Sequence, residues 1–247
     1  MLARLSMLLD AKDLDYRKSS LLHGALMERL DTNYASFLHQ QQMHPYSQHV
    51  CKTADGIVWH IQTLNKDAFE NIIQPCRNGA DYFELKHSGE KINIISQSLE
   101  IKEKKELLAD FYNEQAERNF SIEMITPTSF KQNGRYFILP DVRLLCQNLM
   151  QRYSVTSGNV DMIDREAMEQ IVENTFVSRH RIKSVLFPLE GHSVPGFCGN
   201  VTLRCQGTET MTRYLRLLLR FGEYAGIGIK TAVGMGAMRI RRDKGDR

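Results

Sequence analysis

No two cysteines in this chain stand in C-x-x-C spacing, and the five present (Cys51, Cys76, Cys146, Cys198, Cys205) form an odd, scattered set. That argues against a disulfide frame or a zinc ribbon, and fits buried thiols in a reducing compartment. A long hydrophobic run is missing too: nothing approaches the ~20 apolar residues a helix needs to cross a bilayer. The apolar stretch from Met1 to Leu9 is interrupted by Arg4, ended by Asp10 and followed by no small-residue cleavage site. It reads as a first strand rather than a signal peptide, so the expectation is a cytoplasmic protein with no membrane partner. Strong charge of one sign is also lacking, since the net charge is only +3. The balance is uneven, however. Residues 1–116 hold 13 Lys/Arg against 16 Asp/Glu, and residues 117–247 hold 19 against 13, so the halves carry −3 and +6. A basic second half suits a polyanionic partner.

What is there is concentrated at the two ends. Near the C-terminus a helical pattern from Thr208 to Tyr224 runs into Gly226-Ile-Gly-Ile-Lys-Thr-Ala-Val-Gly-Met-Gly236 and then a short basic strand, Met238 to Arg242. Four glycines in eleven residues mark a backbone that turns with positive φ and approaches something closely. Exposed N–H groups and Lys230 suit phosphate oxygens. Two nucleotide motifs nevertheless fail. Ile229 precedes Lys230-Thr231 where a Walker A loop needs glycine, and the glycines follow a helix instead of a strand. Taken alone, the segment fits a glycine-rich hairpin at a sheet edge as well as a binding loop.

The second concentration is Tyr34-Ala-Ser-Phe-Leu-His39-Gln-Gln-Gln-Met-His44-Pro-Tyr46-Ser47-Gln-His49. Histidines five apart do not share a helix face, and no carboxylate lies among them, so a metal site is a poor reading and none is expected. His39 at a helix C-terminus has its cationic form favoured by the dipole. Pro45 holds His44 extended. Two imidazoles flanking a helix end can supply a base and an acid without metal or other cofactor, which is what RNA transesterification requires. From this segment alone, polar residues of an ordinary loop remain the plainer reading.

Between these ends the element order is informative. Ser19 and Ser20 are expected to cap a helix through Leu22, Ala25, Leu26 and Leu30, and the pattern resumes at Tyr34, Phe37 and Leu38 before ending in Gln40–Gln42. Strands are expected near Val50, over Ile57–Ile61 and over Ile92–Ile101, with a helix from Lys66 to Pro75. This β-α-β-α-β order suits a ferredoxin-like unit. The charged stretch Lys102 to Arg118 reads as a linker, possible in helical form. A second cycle then follows: Phe120–Thr126 with Tyr136–Leu139 pairing to it, a helix after Pro140, a loop or insertion over Tyr153–Asp164, and strands Phe176–Leu189 and Asn200–Gln206 joined through Gly191, Pro195 and Gly196. The last helix and strand complete it. The expectation is an α+β chain of two tandem ferredoxin-like domains, 1–116 and 117–247. Basic residues recur on the second: Arg179, Arg181 and Lys183 in strand period, Arg213, Arg216 and Arg220 on one helix stripe, and Arg239, Arg241 and Arg242 at the end. A solvated basic face is the plain reading of the helix stripe, and three such elements together favour a phosphate backbone.

With these residues in view, Leu22-His23-Gly24-Ala25-Leu26, Tyr34 to His39, His44-Pro45-Tyr46-Ser47 and the Gly226–Gly236 segment together resemble the CRISPR-associated endoribonucleases of the sixth Cas family. The glycine segment resembles the signature of the wider RAMP superfamily, and the similarity is greatest to members serving type III-A systems. The resemblance implies two tandem ferredoxin-like domains and metal-independent cleavage of CRISPR precursor RNA within repeats. The ribose 2′-OH attacks the adjacent phosphorus, leaving 2′,3′-cyclic phosphate and 5′-OH ends. It implies that His39 is the general base. Where related members have a lysine before the Pro-aromatic step this chain has His44, so the second role is open between His44 and Tyr46. A helix tyrosine of the family is replaced by Met27, and His23 and His49 are reserve candidates. For RNA binding the resemblance implies Gly226, Gly228, Lys230, Thr231, Gly234 and Gly236 near the cut and Arg179, Arg181 and Lys183 on the hairpin. The partner implied is CRISPR repeat RNA, with a homodimer or transient contact with an effector complex compatible. A non-catalytic RNA-binding RAMP subunit is the competing reading.

Overall fold

The computed structural model describes residues 1–85, 89–113, 117–158, 165–189 and 191–241. Strand β1 (Leu2–Leu9) alternates buried and half-buried positions, as a strand covered on one face must. A single 3-10 turn at Tyr16–Lys18, capped by Asp15, leads into helix α1 (Ser19–Met27). The serines do not cap it. Ser19 is already helical and fully buried, and no side chain bonds the first turn, because the preceding turn delivers the chain without an extended cap residue. Asp31 instead caps the next helix, α2 (Thr32–Gln40), by accepting from the Asn33 and Tyr34 amides. Strands β2 (Tyr46–Lys52) and β3 (Ile57–Thr63) follow, then a helical stretch made of α3 (Lys66–Ala68), a π turn (Phe69–Ile73) and α4 (Gln74–Asn78). Strands β4 (Tyr82–Leu85) and β5 (Glu90–Lys102) close the first sheet.

That sheet runs β2-β3-β1-β5-β4. Removing the edge strand β4 leaves the order of a βαββαβ unit, whose two outer connections carry helices to one face. Ala3, Leu5, Met7, Tyr46, Val50, Trp59 and Ile61 point to that face and form the first core with Leu22 and Leu26 of α1. The other face carries polar residues: Arg4, Ser6, Ser47, His49, Cys51, His60 and Gln62.

The charged linker folds as helix α5 (Lys104–Asn113), which lies on the last helix of the chain. The second unit comprises β6 (Asn119–Thr128), a small hairpin of β7 (Phe130–Gln132) and β8 (Arg135–Phe137), α6 (Val142–Thr156), α7 (Arg165–Glu173), β9 (Thr175–Leu189), β10 (His192–Cys205), α8 (Glu209–Ala225) and β11 (Met238–Arg241). Its sheet order, β11-β6-β10-β9, repeats the ferredoxin-like arrangement. Three local expectations are corrected. Tyr136 and Phe137 pair with β7 across an Asn133-Gly134 turn, not with β6. The supposed loop from Tyr153 continues α6 to Thr156, and residues 159–164 lie outside the described residues. Pro195 and Gly196 lie inside β10 rather than in a turn, and a Cβ on Gly196 would crowd the Thr128 carbonyl oxygen of β6 at 2.9 Å.

The two units interlock. Leu2 and Leu64, from the first, are part of the second core; Ala232, from the second, is part of the first. Polar bonds tie the seam: Ser47 Oγ donates to the Tyr224 carbonyl at 2.6 Å, and Tyr224 Oη donates to Glu100 at 2.8 Å. Arg4 reaches the Glu223 carbonyl at 3.1 Å while covering the Tyr224 ring. Among the described residues no helix is long and apolar enough to cross a membrane.

Candidate active site

The histidine segment is shaped by what its neighbours bury. Leu38 anchors the last turn of α2 in the first core, which turns the next residue, His39, out to solvent at the helix C-terminus. The chain then extends at Gln41, and β2 opens with Tyr46, whose ring is fully buried. Tyr46 Oη lies 2.9 Å from His23 Nε2, and the His44 ring lies 5.7 Å from the Tyr46 ring. Behind Tyr46, α6 contributes Arg152, a buried guanidinium whose Nη2 donates to the Tyr46 carbonyl at 3.4 Å.

Electrostatics binds these groups into one site. Burial, then the nearby His44 and His39, lowers the His23 pKa to about 4. His44 is lowered by burial, by Arg152 and by His39. Burial lowers Arg152 to about 10, which still leaves it cationic at neutral pH. No carboxylate offsets any of these three groups among the described residues. A buried guanidinium beside two imidazoles, with no carboxylate close by among the described residues, makes a site that favours an anion. The phenol of Tyr46 is raised by burial, so it stays protonated. Two polar atoms of these residues, His44 Nδ1 and Arg152 Nε, are buried without a hydrogen-bond partner among the described residues.

Alongside, an open groove of about 810 Å³ runs between the end of α2 and helices α6 and α7, lined by Gln40, Gln41, Met43, Gln151 and Arg165 among others. Its amides and thioether give hydrogen bonds and apolar contact together, which suits a flat heterocycle.

The glycine segment does approach something closely, and that something is the chain itself. Gly226, Gly228, Gly234 and Gly236 all have positive φ and are buried. A Cβ on Gly228 would overlap the Ser129 carbonyl, one on Gly236 the Ile227 carbonyl, and one on Gly234 the Ser19 side chain. The amides are used internally as well: Ile227 bonds Gly236 O, Gly228 bonds Asn148 Oδ1, Ile229 bonds Ser129 O and Gly236 bonds Pro127 O. Those four amides are therefore taken up in a backbone crossing inside the protein. Thr231 is buried in the single 3-10 turn Thr231–Val233, which packs on β2 and α1, beside the histidine cluster. Lys230, left-handed at φ 56, precedes that turn and is exposed.

On the hairpin, Arg179, Arg181 and Lys183 are exposed on β9, the outer strand of the second sheet, and their register opposite Thr202, Asn200 and Cys198 puts them on one face. The other basic stripes are engaged. Arg213 bonds Glu209 and the Phe111 and Tyr112 carbonyls, and Arg220 bonds Glu223. Arg216 is buried. Arg239 and Arg241 share Glu123, and Arg242 lies outside the described residues. Sequence reasoning missed Arg152 altogether. Its signal was present: with Leu145, Leu149 and Thr156 it falls at helical spacing on a buried stripe, where an arginine has no structural excuse.

Comparison with known proteins points to one family. The family model described as CRISPR-associated endoribonuclease Cas6 matches residues 122–238. The chain is 34% identical over 226 residues to the CRISPR-associated endoribonuclease Cas6 of Streptococcus thermophilus, covering 90% of each. It is 35% identical over 222 residues to that of Mycobacterium tuberculosis, covering 89% of this chain and 70% of the relative. Among solved structures, a Cas6 product complex superposes with a TM-score of 0.79 at 19% identity, covering 98% of this chain and 99% of that one. Thermus thermophilus Cas6 superposes with a TM-score of 0.71 at 20% identity, covering 97% of each. Shared sequence across nearly the whole length, on the same paired ferredoxin-like fold, makes this chain a member of the CRISPR-associated endoribonuclease Cas6 family.

Proposed function

We propose that this protein cleaves CRISPR precursor RNA within its repeats by metal-independent transesterification. The observation that carries the reading is the exposed His39 imidazole beside a buried, uncompensated cluster of His23, His44 and Arg152. His39 takes the proton of the ribose 2′-OH, the freed oxygen attacks the adjacent phosphorus, and the bond from phosphorus to the 5′ oxygen breaks. His44 returns a proton to that leaving oxygen. Its burial makes the imidazolium a stronger acid than usual, which suits donation to a poor leaving group. Arg152 and Lys230 supply positive potential where charge accumulates on the phosphorane. Tyr46, bonded to His23 and fully buried, holds the His44 ring in place instead of reacting. The products are a 2′,3′-cyclic phosphate and a 5′-OH.

A division of labour accompanies this reading. The first unit, residues 1–116, carries the histidines; the second, 117–247, grips the repeat through Arg179, Arg181 and Lys183 and supplies Arg152 and Lys230. Recognition rests on backbone charge, stacking and 2′-OH contacts rather than groove reading.

The test incubates the protein, in chelator, with cognate repeat RNA and with the same RNA carrying one 2′-deoxy nucleotide at the cut, beside His39→Ala. Cleavage of only the all-ribose RNA, lost in the variant, is expected. Tight binding with no cleavage would replace this reading with that of a non-catalytic RNA-binding subunit.

A further inference from the structure

Away from the histidine cluster, the opposite face of β2 gathers three further ligand-type side chains. β2 residues alternate: Tyr46, Gln48 and Val50 turn to the core, while Ser47, His49 and Cys51 turn to the polar face between the two sheets. His49 pairs directly with His60 of β3, and Cys51 is two residues along the same strand, so all three side chains rise from one face. One ligand atom from each lies within 4.8 Å of the others, and the two imidazole rings are 4.8 Å apart. His49 and Cys51 with His60 match no zinc spacing in the sequence, because the register of β2 on β3 is what assembles them.

We propose that His49, Cys51 and His60 form a binding site for a zinc-class divalent metal ion, separate from the RNA-cleaving residues. Two imidazole nitrogens and one thiolate suit zinc or cobalt, and do not suit magnesium or calcium, which take oxygen ligands. Each imidazole already has a partner of the kind that orients a metal ligand. Ser6 Oγ lies 2.8 Å from His60 Nδ1, leaving the Nε2 edge for the ion, and the Gln62 side chain hydrogen-bonds His49. Three protein ligands leave a fourth position for water. At metal–ligand lengths of about 2.0–2.3 Å, tetrahedral ligands stand roughly 3.3–3.8 Å apart, so binding draws the triangle in by about 1 Å. The thiol of Cys51 gives up its proton to the solvent when the sulfur–metal bond forms, and no electron is transferred. Arg4 lies within electrostatic reach of all three ligands and Arg239 of His49 and Cys51, while Glu123, near Cys51, is itself paired with Arg239 and Arg241; the ion must therefore bind through its bonds to nitrogen and sulfur and not through a net negative field. A bound ion pins β2 to β3 at the seam between the units and so stabilises the folded chain.

The experiment titrates Co2+ into the full-length protein after chelator treatment and dialysis. A thiolate-to-cobalt charge-transfer band and intense tetrahedral d–d bands, saturating at one ion per chain and displaced by Zn2+, are expected. Cys51→Ser removes the charge-transfer band. His60→Gln weakens Co2+ binding at least about tenfold, the scale of losing a well-oriented ligand. Zinc raises the melting temperature of the wild-type protein and not of Cys51→Ser. Absence of the thiolate band, or its persistence in Cys51→Ser, overturns the site. RNA cleavage is read in parallel in chelator: its loss there would overturn the metal-independent mechanism, whereas the cobalt spectra report on this site alone.

Discussion

Replacing Gly236 by alanine separates the two roles open to the glycine segment. Gly236 has φ 72, and its carbonyl accepts from Ile227 at 2.8 Å while its amide donates to Pro127 at 3.0 Å. A Cβ there would overlap the Ile227 carbonyl oxygen, so the backbone must shift and stretch that bond. Gly134 is a matched control, with φ 77 and open space around a built Cβ. Both variants carry the left-handed penalty of an L-residue, about 1–2 kcal/mol. Only Gly236→Ala also loses hydrogen bonding, about 0.5–1.5 kcal/mol per bond, for a total of about 3 kcal/mol. The difference between the variants should be roughly 2 kcal/mol, or about 4–8 °C in melting temperature for a chain of this size. Urea titration followed by far-ultraviolet circular dichroism measures it directly. Equal stability losses would refute the backbone-crossing account. An unchanged stability with weakened RNA binding would return the glycines to the phosphate.

Three other outcomes are expected. Arg152→Met should lower the single-turnover cleavage rate on the order of 100-fold while leaving thermal stability equal or higher, because a buried guanidinium without a carboxylate partner is itself costly; normal cleavage in a destabilised variant would make Arg152 structural. Because the His23 pKa is about 4 in the folded chain and near 6.5 when unfolded, the unfolded state takes up the proton first, and stability should fall as pH drops from about 6.5 to 4, by at most about 1.4 kcal/mol per unit. Urea midpoints at several pH values should therefore fall more steeply for the wild-type protein than for His23→Gln. Changing Arg179, Arg181 and Lys183 together to alanine should reduce the slope of log affinity against log salt by about 2, at roughly 0.7 for each phosphate of single-stranded RNA left without its cation; an unchanged slope would take the hairpin out of the interface.

Much of the fold was legible because its signals are local. The ferredoxin-like order follows from alternating runs such as Ile57–Ile61 and from turn residues around them. Strand β4 escaped because four residues, even in the alternating pattern exposed-buried-exposed-buried, are too few to stand out. The start of β10 was misplaced because glycine has two uses: at Gly196 it admits a neighbouring strand and turns nothing. The glycine segment repeats that lesson at larger scale. Close approach was readable from composition, but whether the approaching group is a phosphate or Ser129 depends on contacts between distant parts of the chain. In the candidate site, His39 and His44 were visible because they are neighbours in sequence. Arg152 joins them from more than a hundred residues away, through the packing of α6 on the first unit.

The interlocked cores set an order of events during synthesis. Ala232 completes the first core, yet it stands 140 residues beyond Ile92, the last buried residue that the first unit itself puts there. While the ribosome is still making the second unit, the β2 and α1 surfaces that will receive the Thr231–Val233 turn are uncovered. The N-terminal unit therefore cannot reach its final packing ahead of the rest, as independently folding domains do. A chain released early through a premature stop before Gly226 would lack both this plug and β11. Quality control would then meet a protein with two flawed units, not one sound unit and one missing.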